Sequence, residues 1–196
     1  MKSISQDEVL RVMKCAGRTS LRNQTMILLG YLHGMRASEI CELRLSDVLM
    51  DREQVVIRRR KGSLTTTADF VDVPGQPLLC EKRMLRKWLA ERGNNPSPFV
   101  FPSQKGQCLD RRSFFDIFAD AAREAGLPAD KQHPHVLKHA LGYRLVEQGR
   151  SMPEIRRALG HKSIQSTAVY TEISDAMASR AVAAAIAGRQ VDGLTV

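Results

Sequence analysis

Apolar residues recur at helical spacing along most of the chain, and polar or Gly-containing breaks divide these runs into short helices. Ser5 and Glu8 have the spacing of a capping box, in which each side chain bonds the other residue's backbone N–H, so a first helix is predicted to begin there. Its apolar face continues until Gly17. A second helix is predicted over residues 21–33 and ends at Gly34.

The helical period is interrupted once, between residues 54 and 73. Val55, Val56 and Ile57 are β-branched, and a second run of strand-forming residues ends at Pro74. This pattern predicts a hairpin or meander whose tip contains Lys61 and Gly62. Further helices are predicted at approximately 37–43, 78–89, 114–122, 136–147, 153–159, 163–171 and 176–187, with a short strand at 99–101. The predicted fold class is α+β, a mainly helical single domain with a small antiparallel sheet.

Composition places the chain among globular proteins, with 43% hydrophobic and 26% charged residues over 196 positions. The four cysteines contain no Cys-x-x-Cys pair, which argues against a disulfide scaffold or a structural zinc module. No apolar run approaches the roughly 20 residues that cross a bilayer. A cytoplasmic protein with no membrane span is predicted.

Charge indicates an acidic partner. The chain has 30 Lys and Arg residues against 21 Asp and Glu, a formal net charge of +9. This surplus suits DNA, RNA or an anionic membrane surface, and composition alone does not choose among them.

Three segments carry residues that are unusual for a plain core. Arg36 follows the Gly-terminated second helix and opens the next one. His135, Lys138 and His139 fall on one face of a helix. Tyr170 follows a Leu-Gly-His segment that ends at His161. Each feature also has an ordinary structural interpretation, as a helix-end cation, a solvated helix face and a core tyrosine.

Metal binding is an alternative for the histidines. His135 and His139 have the i, i+4 spacing of a ligand pair, and His133 lies nearby. However, no Glu lies between the pair, and Lys138 would place a positive charge beside the ion. We therefore predict no metal and no cofactor, and keep a metal-dependent hydrolase as a distant alternative.

Taken in order, these segments resemble the tyrosine recombinase (phage integrase) family, whose catalytic domain is related in fold to type IB topoisomerases. The resemblance runs from about Ser5 to Ala187. The motifs that carry it are Gly34-x-Arg36-x-x-Glu39, Lys61-Gly62, His135-x-Leu137-Lys138-His139, Leu159-Gly160-His161 and Thr167-x-x-Tyr170.

The resemblance implies a site-specific recombinase that works without metal or nucleotide cofactor. Tyr170 would attack a DNA phosphodiester to form a 3′-phosphotyrosyl link, and Arg36 would clamp the non-bridging oxygens. Lys61 would protonate the leaving 5′-oxygen. His135 and His161 would donate hydrogen bonds or help to move the nucleophile's proton.

Lys138 departs from the family pattern, which has a second Arg at this position. A lysine keeps the charge but lacks the planar fork that grips two phosphate oxygens. Losing one charge-assisted hydrogen bond costs about 1.5–3 kcal/mol, which predicts a slow enzyme. A catalytically weakened DNA-binding regulator therefore stays open as the alternative function, and the sequence does not tell whether this lysine is natural or engineered.

Other cations are expected to follow the DNA backbone beside the scissile phosphate. Because successive strand residues alternate between faces, Arg59 cannot face DNA together with its two neighbours. The predicted DNA-binding residues are Arg58, Arg60, Arg111, Arg112, His139 and Lys162.

Residues 1–196 are predicted to form one catalytic domain, with a core over about 5–173 and a C-terminal tail helix and extension over 174–196. We expect no N-terminal core-binding domain before Ser5. The chain thus resembles the short members of the family, such as fimbrial phase-variation invertases, or an excised catalytic fragment. We expect a homodimer or tetramer on DNA with inverted-repeat sites, joined through the tail helix, in the cytoplasm with the nucleoid. Packing of that helix within its own chain is equally open.

Overall fold

A computed structural model describes residues 3–59, 65–163, 165–170 and 182–183. Eight α-helices, three short 3-10 helices and three strands are present in these ranges. The helices are α1 (Gln6–Thr19), α2 (Leu21–His33), α3 (Ala37–Cys41), α4 (Glu81–Arg92), α5 (Arg111–Glu124), α6 (His135–Glu147), α7 (Met152–Leu159) and α8 (Gln165–Ala168). The strands are β1 (Val48–Leu49), β2 (Gln54–Ile57) and β3 (Thr66–Asp69).

The start of α1 is the predicted capping box. The Ser5 hydroxyl accepts the Glu8 backbone N–H at 3.1 Å, and the Glu8 carboxylate accepts the Ser5 backbone N–H at 2.7 Å. The helix runs past Gly17 to Thr19, so the predicted end was two residues early. The bounds of α2 are the predicted ones, and Gly34 ends it in the left-handed conformation at φ 55°.

The small sheet is antiparallel in the order β1-β2-β3, with Val55 opposite both Val48 and Ala68. The sequence missed β1, which is only two residues long. The predicted end of the second strand-forming run at Pro74 is wrong, because β3 ends at Asp69 and Asp72 beyond it forms only an isolated bridge to Cys80. The predicted strand at 99–101 is likewise wrong. Only isolated bridges form there, between Arg44 and Phe99 and between Pro102 and Cys108. The hairpin tip at 60–64 lies outside the described residues.

The main core lies between α1, α2, α5 and α6. Buried side chains of α2 pack against the neighbouring helices, and Phe114 and Phe118 from α5 are fully buried. A smaller, separate cluster contains Ile155 and Leu159 of α7 together with Tyr170. The mainly helical fold with a small antiparallel sheet confirms the predicted class.

Two remaining predictions concern the ends of the chain and the membrane. All but residues 182 and 183 of the predicted tail lie outside the described ranges. Within the ranges given above, no helix is long and apolar enough to span a bilayer.

Candidate active site

Arg36 lies between α2 and α3, where the left-handed turn at Gly34 redirects the chain. Its backbone N–H donates to Glu39 Oε2 at 2.9 Å, and its guanidinium donates to Glu39 Oε1 at 2.8 Å. The Glu39 side chain is completely buried, whereas that of Arg36 is 37% exposed. The carboxylate therefore fixes one edge of the guanidinium and leaves the rest open to an anion.

The open side of Arg36 faces a cleft of about 670 Å³ between the start of α3, the start of α5 and the start of α6. Arg111, Arg112 and His135 line the same cleft, and all three are exposed. The Arg112 guanidinium lies 5.5 Å from the centre of the Phe115 ring. Arg111 and Arg112, which are predicted to contact the DNA backbone, thus share one basic cleft with the predicted catalytic residues Arg36 and His135.

Lys138 lies on the buried side of α6, with 1% of its surface exposed. Its ammonium donates to the Leu159 carbonyl at the C-terminal end of α7. Burial, followed by the positive charges of Arg59 and Arg36, lowers the pKa of Lys138 to about 7. The lysine therefore contributes positive charge from the protein interior and does not offer its ammonium to a ligand at the surface.

The two described arginines of the hairpin face opposite ways, as the strand alternation predicted. Arg58 is exposed and pairs with the buried Asp47 carboxylate at 2.8 Å. Arg59 is buried and pairs with Glu39 at 2.9 Å. Arg60 and Lys61, predicted for DNA binding and catalysis, lie outside the described residues.

Tyr170 follows α8 and is only 4% exposed. Its ring lies directly against Gly142 of α6, where an added Cβ would come within 2.7 Å of ring carbons. Tyr143 meets the ring edge-on, with 5.3 Å between ring centroids. Burial raises the pKa of the Tyr170 hydroxyl to about 12. The predicted nucleophile is therefore enclosed and protonated in this conformation.

Two imidazoles contact the tyrosine. The His139 Nδ1 lies 3.0 Å from the Tyr170 hydroxyl. The His161 ring is parallel to the tyrosine ring at 6.2 Å between centroids, and its Nδ1 lies 3.0 Å from the Thr167 hydroxyl. Burial, followed by nearby charges, lowers the pKa of both histidines to about 4, so both are neutral near pH 7.

His139 was predicted to contact DNA, and its position gives it a different neighbour. It is 9% exposed and lies between the exposed His135, 4.4 Å away between ring centroids, and Tyr170. The imidazole therefore faces the tyrosine in this conformation. Lys162 is exposed beside His161, as a backbone contact requires. In the described part of the chain, no three His, Cys, Asp or Glu side chains converge as metal ligands.

Comparison with known proteins identifies the family. A sequence profile described as "Phage integrase family" matches residues 2–177. The type 1 fimbriae regulatory protein FimB of Escherichia coli K12 is 36% identical over 174 residues, which cover 86% of this chain and 82% of FimB. The chain belongs to the phage integrase family. The Escherichia coli regulatory protein FimE is also 36% identical, over 162 residues.

Longer relatives and solved structures agree. Tyrosine recombinase XerA of Pyrococcus furiosus is 28% identical over 176 residues, which are 88% of this chain and 58% of XerA. A crystal structure of XerA recombinase superposes with a TM-score of 0.75 at 22% identity, over 97% of this chain and 64% of that one. XerH bound to its difH substrate also gives 0.75, at 20% identity, over 93% of this chain and 54% of that one.

Family membership confirms the predicted class, a tyrosine recombinase of site-specific DNA recombination, and the structural matches confirm the fold. Nothing in these relatives favours the metal-dependent hydrolase. The chain spans little more than half the length of the Xer relatives.

Sequence reasoning missed two features of the site. It gave His139 no contact with Tyr170, because the partner is 31 residues away. It also gave Arg59 no role, although a signal was present. Val55 and Ile57 are the buried residues of β2, and Arg59 continues the same face at a spacing of two.

Proposed function

We propose that the chain breaks and rejoins DNA strands at inverted-repeat sites through a 3′-phosphotyrosyl intermediate on Tyr170. The observation that supports this most is the convergence of four segments on one site. Arg36 and His135 line one cleft, and the His135 ring lies 4.4 Å from that of His139. His139 in turn lies 3.0 Å from the Tyr170 hydroxyl, and the His161 ring is parallel to the tyrosine ring. A cation and an imidazole on a basic cleft, with further imidazoles and a phenol buried beside it, match the needs of phosphoryl transfer without a metal ion.

In the proposed reaction, the Tyr170 hydroxyl loses its proton to solvent as its oxygen attacks the phosphorus, and the bond from phosphorus to the 5′-oxygen breaks. The phosphodiester becomes a 3′-phosphotyrosyl ester, and the leaving 5′-oxygen takes up a proton. By resemblance we assign that proton to Lys61. The 5′-hydroxyl of a second strand then attacks the phosphotyrosine and loses its proton, and Tyr170 leaves and is protonated again. One phosphodiester is therefore consumed and one is formed.

The cationic residues have separate roles in this proposal. Arg36 offers its exposed edge to the non-bridging oxygens, and His135 at the start of α6 donates from the same cleft. Lys138 is buried against the Leu159 carbonyl, so its contribution is long-range charge and not a two-point grip. Arg58, Arg60, Arg111, Arg112 and Lys162 bind the flanking backbone.

Tyr170 must change its hydrogen bond before it attacks. Its hydroxyl now contacts His139, whose pKa of about 4 makes it a poor acceptor for a proton from a phenol with a pKa of about 12. Near a phosphate held by Arg36, the developing phenolate gains cationic neighbours. We therefore assign His139 to the resting state. His161 also has a pKa of about 4, so we assign it, by resemblance, a hydrogen bond to the reacting phosphate and not the phenol proton.

Covalent trapping tests the proposal. A pool of nicked duplexes that carry randomised inverted repeats around a short spacer is first selected for binding and then incubated with the protein. We expect a protein–DNA adduct that resists detergent and chelator, disappears in Tyr170→Phe, and persists in Tyr31→Phe, a matched loss of another buried tyrosine hydroxyl.

Other outcomes would point elsewhere. DNA that binds without any adduct would favour the regulator. An adduct retained by Tyr170→Phe would move the nucleophile to another residue, and an activity that chelator removes would favour metal-dependent hydrolysis.

We also propose that the chain acts as a dimer or tetramer on its DNA, in the cytoplasm with the nucleoid. Support comes from solved relatives that include a lambda integrase dimer on a core site and XerH on a palindromic substrate. Sedimentation of the protein with selected DNA is expected to give complexes with two or four chains. A single chain per duplex at saturation would contradict this assembly.

A further inference from the structure

Arg59 is a buried cation with no role in the proposed chemistry. It follows the last residues of β2 and continues the strand's buried face, two positions before the predicted general acid Lys61. Its side chain is completely buried. A buried guanidinium is costly unless several groups compensate it, so its partners indicate its purpose.

The partners of Arg59 come from two helix ends and one carboxylate. Nη1 donates to the Gly34 carbonyl at 3.1 Å and to Glu39 Oε2 at 2.9 Å. Nη2 donates to the His33 carbonyl at 3.1 Å and to the Ala158 carbonyl at 3.2 Å. One planar fork therefore joins the C-terminal ends of α2 and α7.

Both helix ends lead directly into site residues. The last carbonyls of a helix lack partners within it and carry partial negative charge, so a cation there stabilises the end of the helix. The end of α2 continues into Arg36, and the end of α7 continues into His161. Glu39 binds Arg59 through Oε2 and Arg36 through Oε1.

We propose that Arg59 is a positioning residue for strand transfer, which holds Arg36 and His161 in register by joining the ends of α2 and α7. This inference rests on the proposed function. It does not make Arg59 a DNA contact, because the side chain has no exposed surface through which a phosphate could reach it.

The geometry explains why an arginine stands there. An ammonium has three donors on one nitrogen and cannot reproduce a fork that spans four oxygens. Gly160 lies directly against the same side chain, and an added Cβ there would come within 2.5 Å of Arg59 Nε. The motif glycine before His161 therefore leaves room for the arginine as well as adopting φ 61°.

The first test replaces the fork. In Arg59→Met, we expect adduct formation on saturating selected DNA to slow about a hundredfold, the scale of a 1 Å misplacement, while the dissociation constant changes less than about threefold. Arg59→Lys should recover roughly a tenth of the wild-type rate. Rates at the wild-type level in folded Arg59→Met, or equal losses of rate and affinity, would overturn the proposal.

A second pair of variants keeps every charge, which matters if Arg59→Met does not fold. Gly160→Ala places a Cβ against Arg59, whereas Gly149→Ala has the same left-handed backbone, at φ 69°, with no atom within 4 Å of the added Cβ. We expect the rate to fall at least about tenfold in Gly160→Ala and less than about twofold in Gly149→Ala. Equal rates in the two variants would overturn the proposal.

A readout without DNA separates this inference from the proposed function. Hydrogen exchange of the free protein should accelerate at residues 34–39 and 158–162 in both Arg59→Met and Gly160→Ala, and not in Gly149→Ala. Unchanged exchange in both segments would overturn the positioning role, whatever the activity. If the wild-type protein forms no adduct but the two variants still show faster exchange than wild type, the proposed function alone is overturned.

Discussion

The site has two sides that are held together by different forces. On the cation side, Arg36, Glu39 and Arg59 form a chain of charge-assisted hydrogen bonds of 2.8–2.9 Å, and Lys138 bonds the end of α7. On the other side, called the nucleophile side after the role proposed for Tyr170, the tyrosine hydroxyl contacts a neutral histidine and the ring packs in a small separate cluster.

The difference indicates that the two sides of the site control different steps. Charge-assisted bonds are about twice as strong as neutral ones, so the cation side is built before DNA arrives and needs little reorganisation during the reaction. On the nucleophile side, the position of Tyr170 depends on a neutral side-chain hydrogen bond and on ring packing. Changes to the cation side should therefore alter the chemical step, and changes to the nucleophile side should alter how often the tyrosine reaches it.

The largest effect is expected from Arg36→Gln. This variant removes the exposed cation of the cleft but keeps a polar side chain near Glu39. Loss of one preorganised donor to a developing oxyanion slows related reactions about 10²–10³-fold, and we expect that range here for adduct formation at saturating DNA. Quenched time courses with selected nicked duplexes give the rate.

The control for this prediction is Arg18→Gln, which removes an exposed arginine that pairs with Glu124 at 2.8 Å, away from the cleft. We expect its rate to equal that of wild type. If Arg36→Gln lost affinity and kept its rate once bound, the cation side would be a binding surface and not part of the chemical step.

The sequence predicted most of the framework because that information is local. The capping box at Ser5 and the bounds of α2 follow from spacing within one turn, and the structure confirms both. The fold class and the family followed from the order of short motifs. The two-residue β1 and the isolated bridges near Phe99 could not be predicted, since distant partners determine them.

The same limit applies to the site. Its residue types were visible in the motifs, but their environments depend on which elements meet. Lys138 looked like part of a polar helix face, and only the packing of α7 on α6 shows that its ammonium is capped by Leu159. The contact between His139 and Tyr170 likewise needs α8 to return to α6.

A smaller effect, with a distinctive pH dependence, is expected from Lys138. Its folded pKa of about 7 means that the ammonium is lost as pH rises through 7, so the wild-type rate at low DNA concentration should fall there by up to about tenfold for each further pH unit. Four neighbouring site groups do not mimic this. Glu39 stays ionised because its pKa is lowered, and His135, His139 and His161 have lowered pKa values.

Lys138→Arg is the matched variant, because a guanidinium keeps its charge throughout this range. We expect it to be faster than wild type and to show no decline near pH 7, with a difference of roughly tenfold at pH 8. Ionisation of Lys61 would appear in both profiles, so the difference between them belongs to residue 138. Equal or lower activity of the arginine variant at every pH would mean that the site has adapted to lysine.

The smallest effect should come from the nucleophile side, and its direction is opposite. His139→Leu removes the partner of the Tyr170 hydroxyl and so destabilises the stored position, at a typical net worth of about 1 kcal/mol for one hydrogen bond. If the position of Tyr170 beside His139 competes with the position from which it attacks, adduct formation should become about two- to fivefold faster. His139→Asn offers an acceptor oxygen near the position of Nδ1, so its rate of adduct formation should be close to that of wild type. A loss of about a hundredfold in His139→Leu would instead mean that the imidazole takes part in the chemical step, and the two sides of the site would then share one function.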